Sequence, residues 1–289
     1  MTPCKPLPPS VNYHLWQPCN MSCRGCFARF DDVRADVLPR GHLPRDASLA
    51  LTNLLARRFS KVTFAGGEPT LAPWLPDLVS AAKLAGTTTM LVTNASRLDD
   101  AYLARLAGSL DWLTMSIDSA LPAVQAELGR ATRRGPIAAE RYIEIAAKAR
   151  ALDIRVKVNT VVGALNAGED MTDFIRAVAP ERWKVLQVLP VAGQNDGEVE
   201  PLLISAEAFA AFVARHAALD AEGIPMVPED NEAMTGSYAM IDPAGRFFDN
   251  TTGRHTYSRA ILDEGVEAAW ADIRFRIERF EARGGVYRW

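Results

Sequence analysis

VNYHLWQPCNMSCRGCFARF, residues 11–30, joins a strand to a cysteine loop. Its first six residues, VNYHLW, are mostly apolar or aromatic and read as a strand. The loop that follows carries Cys19, Cys23 and Cys26 in the spacing C-x3-C-x2-C, while the fourth cysteine, Cys4, stands outside the pattern. Such crowding does not suit a disulfide framework; clustered thiols in a reducing cytosol hold metal or do redox work. Structural zinc closes a tetrahedron with four protein ligands, and this loop offers three. Cys4, His14 or a distant histidine would have to complete it, and His14 lies upstream on the strand, away from any finger-like spacing. An iron–sulfur cluster on three cysteines leaves one iron open to a substrate or cofactor.

Downstream, short apolar runs alternate with longer helical patterns. KVTFAG (61–66), TTMLVTN (88–94), DWLTMSID (111–118), RVKVNTVV (155–162) and RWKVLQVLPV (182–191) bring the expected strands to six. Between them DASLALTNLLARRF, with Asp46 placed to cap it, PWLPDLVSAAKLAG, ending at Gly86, and PIAAERYIEIAAKARALD have the period of helices. Repeated βα units predict a parallel sheet with right-handed crossovers. Six units fall short of the eight of a closed barrel, so an open βα barrel is expected, with a doubly wound sheet as the alternative. After Gly193 the rhythm changes: a polar GQNDGEVEP, a helical ISAEAFAAFVARHAAL, a hairpin SYAMIDPAGRFFDN turning at Pro243–Gly245, and a last helix VEAAWADIRFRIERFEARGG. Residues 1–193 are read as the barrel and 194–289 as an α+β extension that closes the substrate site. A net charge of -3 gives no global reason for nucleic-acid or anionic-membrane binding. No stretch approaches the roughly 20 apolar residues of a membrane span, and the start has no apolar signal core, so a cytoplasmic protein is expected.

A C-x3-C-x2-C loop directly after the first strand of a partial barrel resembles the signature of radical S-adenosylmethionine (SAM) enzymes. The resemblance implies a partial (βα)6 radical SAM barrel holding a [4Fe-4S] cluster on Cys19, Cys23 and Cys26. It also implies that SAM chelates the fourth iron and is cleaved to methionine and a 5'-deoxyadenosyl radical. FAGGEPTL (64–71) would alone be a glycine turn between strand and helix; one βα unit after the cysteines it resembles the family's GGEP motif. By that resemblance the backbone of Gly66, Gly67 and Glu68 meets the SAM amino group, and Asn94, Ser116 and Arg130 contact its sugar or carboxylate.

Strand parity bears on substrate independently of family. Arg155, Lys157 and Asn159 alternate with Val156, Val158 and Thr160, Lys61 opposes Val62 and Phe64, and Arg182 groups with Lys184. With the apolar set turned toward the helices, Lys61, Lys157, Arg182 and Lys184 share one lumen, where unpaired cations demand a polyanion such as a triphosphate. Exposed strand ends or structural ion pairs are the alternative for each one singly.

SVNYHLWQPCNMSCRGCF, RVKVNTVV, RWKVLQVLPVAGQN, VPEDNEAMTGSYAMIDPAGRF, SRAILDEGVEAA and RGGVYRW, in this order, resemble viperin and its prokaryotic relatives across nearly the whole chain. The resemblance implies dehydration of a ribonucleoside triphosphate (CTP, UTP or GTP) to its 3'-deoxy-3',4'-didehydro analogue, an antiviral chain terminator. By residue-wise carry-over Lys61, Lys157, Asn159, Arg182 and Lys184 hold triphosphate or ribose. Asn12 lies near the nucleotide, and Arg283 covers the phosphates. Lys61 or Lys157 also assists loss of the 3' hydroxyl, and Tyr238 delivers the last hydrogen atom, although a tyrosine in a hairpin is ordinarily a core residue. A flavodoxin or ferredoxin is the implied electron donor. The amphipathic anchor helix of animal viperins has no counterpart in the ten residues before the first strand, so no membrane partner is expected. The competing readings are a radical SAM enzyme of peptide or cofactor maturation, which commonly carries further cysteines downstream, and a zinc-stabilised nucleotide-binding module.

Overall fold

The computed structural model describes residues 6–289, so Cys4 lies outside the described residues. Among the described residues one sheet holds ten strands; numbered in chain order, they lie side by side as 10-9-8-1-2-3-4-5-6-7. β1 (Ser10–Trp16), β2 (Lys61–Gly66), β3 (Thr88–Thr93), β4 (Trp112–Ser116), β5 (Arg155–Val162) and β6 (Arg182–Gln187) are the six expected strands. They are parallel and adjacent in chain order. Unreversed order makes a barrel wall; a doubly wound sheet would reverse direction at a switch point.

Helices Arg45–Ala56, Leu75–Leu84 and Ala139–Ala151 form where the 3.6-residue pattern predicts them. The first starts at Arg45 after an extended Pro44, and Asp46 does not cap it. Asp46 instead sits inside the first turn, where a negative charge still complements the helix dipole.

Residues 194–289 lengthen the same sheet at both edges. β7 (Met226–Glu229) pairs in parallel with β6, and β8 (Met240–Ile241) pairs in parallel with β1. β9 (Arg246–Asp249) and β10 (Thr256–Ala260) continue antiparallel. The β8–β9 turn closes at Gly245 with φ of 76°, and the Asp242 carboxylate accepts from the backbone N–H of Ala244 and of Arg246. The expected last helix divides into Val266–Ala271 and Ile277–Ala282. Between these segments Arg274 N donates to Asp249 Oδ2 and Arg276 N to Gly236 O, so two donors needed for a continuous helix are used elsewhere. No helix among the described residues is long and apolar enough to cross a membrane.

Alternation along the strands separates core from lumen. Val62, Phe64, Val156, Val158, Trp183 and Val185 are buried among the helices, whereas Lys61, Lys157, Asn159 and Lys184 line an internal cavity of about 730 Å³. Trp183 is fully buried, its Nε1 donating to Thr160 Oγ1 at 2.9 Å and its ring edge-on to Phe212 and His216. Replacing it removes both a large apolar volume and the Thr160 partner. Trp183→Ala is expected to lower unfolding free energy by about 3–5 kcal/mol, read as a drop in urea midpoint.

Candidate active site

One cavity connects two chemically different ends. At the C-terminal ends of β1–β4 it is lined by Cys19, Cys23 and Cys26, with Gly66, Gly67, Asn94, Ser116 and Arg130 around them. The thiols are free, and Met21 N donates to Cys19 Sγ at 3.4 Å. Burial pushes the Cys19 and Cys23 thiols up to about 12 and about 11, and Cys26 also upward, so metal charge is needed to make them thiolates. Among the described residues no group of three or more His, Cys, Asp or Glu side chains gathers as a single metal ion requires. Among the described residues three thiols line the cavity, and a set of three suits an iron–sulfur cluster with one open iron better than a closed zinc tetrahedron.

Glycines let the loops around the thiols approach one another. A Cβ on Gly67 would stand 2.1 Å from Gln17 O and 2.6 Å from Pro18 O, and one on Gly129 would stand 2.1 Å from Ser22 O. Glu68 N donates to Pro18 O and Ser22 N to Gly129 O, so both neighbours are tied to the cysteine loop by backbone bonds. The Glu68 side chain has a separate, structural task. It does not line the cavity; it is fully buried behind it. Glu68 Oε1 accepts from Thr70 N, Thr70 Oγ1 and Thr93 Oγ1, and Oε2 from Asn94 N at 2.7 Å. Its work is to position the end of β3. Asn94 Nδ2 then reaches Asn20 Oδ1 at 2.9 Å, linking that strand end to the cysteine loop. Arg130 likewise braces: Nε donates to Asp118 Oδ2 at 2.6 Å and Nη1 to the Ser116 carbonyl at 3.0 Å. Asp118, which the sequence reading left out, is its counterion.

The other end is basic. Lys61, Lys157 and Lys184 are all buried, and Asn12, Tyr238 and Arg283 join them on the wall. Asn159 Oδ1 is buried without a partner. Arg182 is set back from the cavity: Nη2 donates to Gly284 O at 3.1 Å and the guanidinium lies 4.2 Å over the Tyr287 ring. Residues Tyr287 and Trp289 cover Lys61, whose Nζ sits 4.5 Å and 4.2 Å from their ring centroids and donates to Tyr287 Oη at 3.3 Å. The carboxylate opposing these charges is Glu229, at the end of β7. It is fully buried and pairs with Lys184 and, at 3.4 Å, with Arg283. Sequence reasoning missed it because a proline-interrupted VPED reads as loop, and only pairing with β6 turns the carboxylate inward.

Burial, followed by the neighbouring cations, holds the Lys61 and Lys157 ammoniums well below the usual lysine range. Burial brings Lys184 down to about 8 although Glu229 pulls it up. For Glu229 burial acts upward, yet Lys184 and Arg283 outweigh it and hold the carboxyl at about 2.

An open parallel barrel with three thiols on its first loop, sharing a cavity with a set of strand lysines, has the architecture of an iron–sulfur enzyme that cleaves SAM. Residues 15–178 match the Radical SAM superfamily. The chain is 44% identical over 282 residues to the S-adenosylmethionine-dependent nucleotide dehydratase of Flammeovirga pacifica, covering 97% of this chain and 96% of that one. It is 46% identical over 283 residues to the protein of the same description from Lacinutrix mariniflava, covering 97% of this chain and 59% of that longer one. Against the S-adenosylmethionine-dependent nucleotide dehydratase RSAD2 of Danio rerio it is 34% identical, covering 98% and 78%. The chain belongs to the radical SAM superfamily and, within it, to the viperin-like SAM-dependent nucleotide dehydratases. A [4Fe-4S] cluster and SAM are its cofactors. Streptococcus suis SuiB bound to S-adenosylmethionine superposes with TM-score 0.71 at 16% identity, over 96% of this chain and 67% of that one. Tagged anSMEcpe with bound AdoMet superposes with TM-score 0.61 at 12% identity, over 84% and 71%. At those identities the likeness is one of fold.

A bound polyanion favours the charged lysines and raises their depressed pKa values, so binding takes up protons. Affinity is then full below the free-protein value, about 8 for Lys184, and falls as pH rises through it. Folding stability runs the opposite way: between about 8 and the ordinary lysine value of 10.5 the unfolded chain binds more protons at Lys184, so its contribution to stability rises with pH. Calorimetry of tripolyphosphate binding in buffers of different ionisation enthalpy is expected to show net proton uptake near pH 8. Affinity should be about tenfold weaker at pH 9.5 than at pH 7.

Proposed function

We propose that this enzyme dehydrates a ribonucleoside triphosphate of the CTP, UTP or GTP class to its 3'-deoxy-3',4'-didehydro analogue, a terminator of viral RNA chains. The observation that carries the reading is the basic end of the cavity: Lys61, Lys157, Lys184 and Arg283 converge there with Glu229 as their carboxylate. Buried cations in such excess await a polyanion. The full-length relationship to nucleotide dehydratases gives that polyanion its class.

The cluster and SAM, when bound on Cys19, Cys23 and Cys26, supply the 5'-deoxyadenosyl radical that removes the ribose 4' hydrogen. The chain's own residues bind and orient. Gly66, Gly67, Asn94 and Ser116 border the SAM end, with Glu68 and Arg130 bracing them. The lysines and Arg283 grip the triphosphate, Arg182 supports them through the Tyr287 segment, and Asn12 and Asn159 face the ribose. Anchoring the phosphates away from the reacting carbon fixes which hydrogen meets the radical. A Lys61 or Lys157 ammonium protonates the departing 3' hydroxyl, and Tyr238 supplies the final reducing equivalent. A flavodoxin or ferredoxin in the cytoplasm would be the electron source.

Incubating reduced, reconstituted enzyme with SAM and all four ribonucleoside triphosphates, followed by mass analysis, is expected to show one triphosphate converted to a product lighter by one water. Cleavage of SAM with no triphosphate consumed would reject the substrate assignment. Tyr238→Phe is expected to keep 5'-deoxyadenosine formation while lowering didehydro product about a hundredfold; parental product yield would remove Tyr238 from its role.

A further inference from the structure

Glu229 has no part in the reaction as outlined, yet its position is costly. A fully buried carboxylate at the basic end weakens the hold on an anion, because it already engages Lys184 and Arg283. Its other bond is more specific. The Tyr238 hydroxyl donates to Glu229 Oε2 and accepts from Lys184 Nζ at 2.7 Å. Arg283 covers the Tyr238 ring, its Cζ 3.7 Å from the centroid, and donates to Ser237 O at 2.8 Å and to Glu229 Oε1 at 3.4 Å. The phenol is thus clamped on a face and at its oxygen, with its single proton committed to one carboxylate oxygen.

We infer that Glu229 is the proton acceptor of Tyr238, placed to receive the phenolic proton as Tyr238 passes its electron to the dehydrating sugar. This rests on the reading of Tyr238 as final reductant. The 4' radical loses hydroxide from C3', and a cavity ammonium protonates it to water. The sugar is then one electron short of the C3'–C4' double bond. Tyr238 gives that electron, its O–H bond breaks, the proton passes to Glu229 Oε2, and a neutral tyrosyl radical remains. A one-electron donor of the flavodoxin or ferredoxin class reduces this radical while Glu229 returns the proton, and solvent reprotonates the ammonium. Burial first, and then Glu229, keep Tyr238 well above the usual phenol range, so the proton is present to be transferred. A carboxylate held at about 2 is sufficient as acceptor, because an oxidised phenol is a far stronger acid than any carboxylic acid. The acceptor is within hydrogen-bond reach, as proton transfer requires.

Glu229→Gln, Glu229→Asp and Tyr238→Phe test this in reconstituted enzyme with SAM, chemical reductant and the four triphosphates. Glu229→Gln is expected to cleave SAM within about threefold of the parent, with the ratio of didehydro product to 5'-deoxyadenosine falling about a hundredfold near pH 7. That ratio should climb as pH rises toward about 9.5, because without an acceptor the phenol must first lose its proton to solvent, whereas the parent stays flat. Glu229→Asp withdraws the oxygen from the phenol while keeping the charge, and should show the same recovery at high pH, so a poorly folding amide does not close the test. In unloaded protein carrying 3-fluorotyrosine, the fluorine resonance of position 238, identified by its loss in Tyr238→Phe, should titrate more than about one pH unit lower in Glu229→Gln. A parental product ratio in Glu229→Gln beside an uncoupled Tyr238→Phe overturns the inference and leaves the Tyr238 role intact. A low ratio that no pH restores, with an unmoved fluorine titration, overturns it in favour of simple packing. Normal product from Tyr238→Phe overturns both.

Discussion

Lys61, Lys157 and Lys184 share the lumen with Arg283 and, just behind it, Arg182, against the carboxylate of Glu229, and the architecture of this end follows from that imbalance. Parallel strands with apolar residues turned to the helices must send the alternate residues inward. Desolvation there disfavours each ammonium, and the neighbouring cations add to the penalty. The fold accepts a locally unfavourable arrangement whose relief is delivered by an anionic ligand. Tyr287 and Trp289 soften the penalty by laying aromatic faces on Lys61, an interaction a polyanion can replace.

The opposite end obeys a steric constraint. Three thiols must face a shared space, so the loop bearing them is held by backbone contacts from both sides. Gly67 and Gly129 permit approaches that any side chain would block. Glu68 gathers three threonine donors and the Asn94 N–H, converting the β2 and β3 ends into one rigid edge. The residues around the thiols thus divide into those that border the cavity and those that fix the border.

The six parallel strands were legible because each is a short apolar or β-branched run between helical patterns, and parity within β2, β5 and β6 carried Lys61, Lys157 and Lys184 to the lumen. The extension was less legible. β7 is four residues long and contains a proline, and β8 has two residues, so neither shows a period. The last helix has a helical pattern throughout, but Asp249 and Gly236 take the N–H groups of Arg274 and Arg276 and divide it. Arg182 and Glu68 belong to the right strand and motif, yet long-range partners set both behind the cavity wall.

The sequence by itself determined the family, the three clustered thiols, the parallel wall and the inward lysines, because spacing and alternation are local and survive in one dimension. Only the tertiary structure decided which charges meet. Glu229 and Tyr238 are nine residues apart, with Glu229 on a strand at one edge of the wall and Tyr238 beside the strand that joins β1. Arg283 and Lys184 reach them from the C-terminal segment and from β6. Their contact depends on how both edges of the sheet curve toward one lumen, and no periodicity in the chain records it.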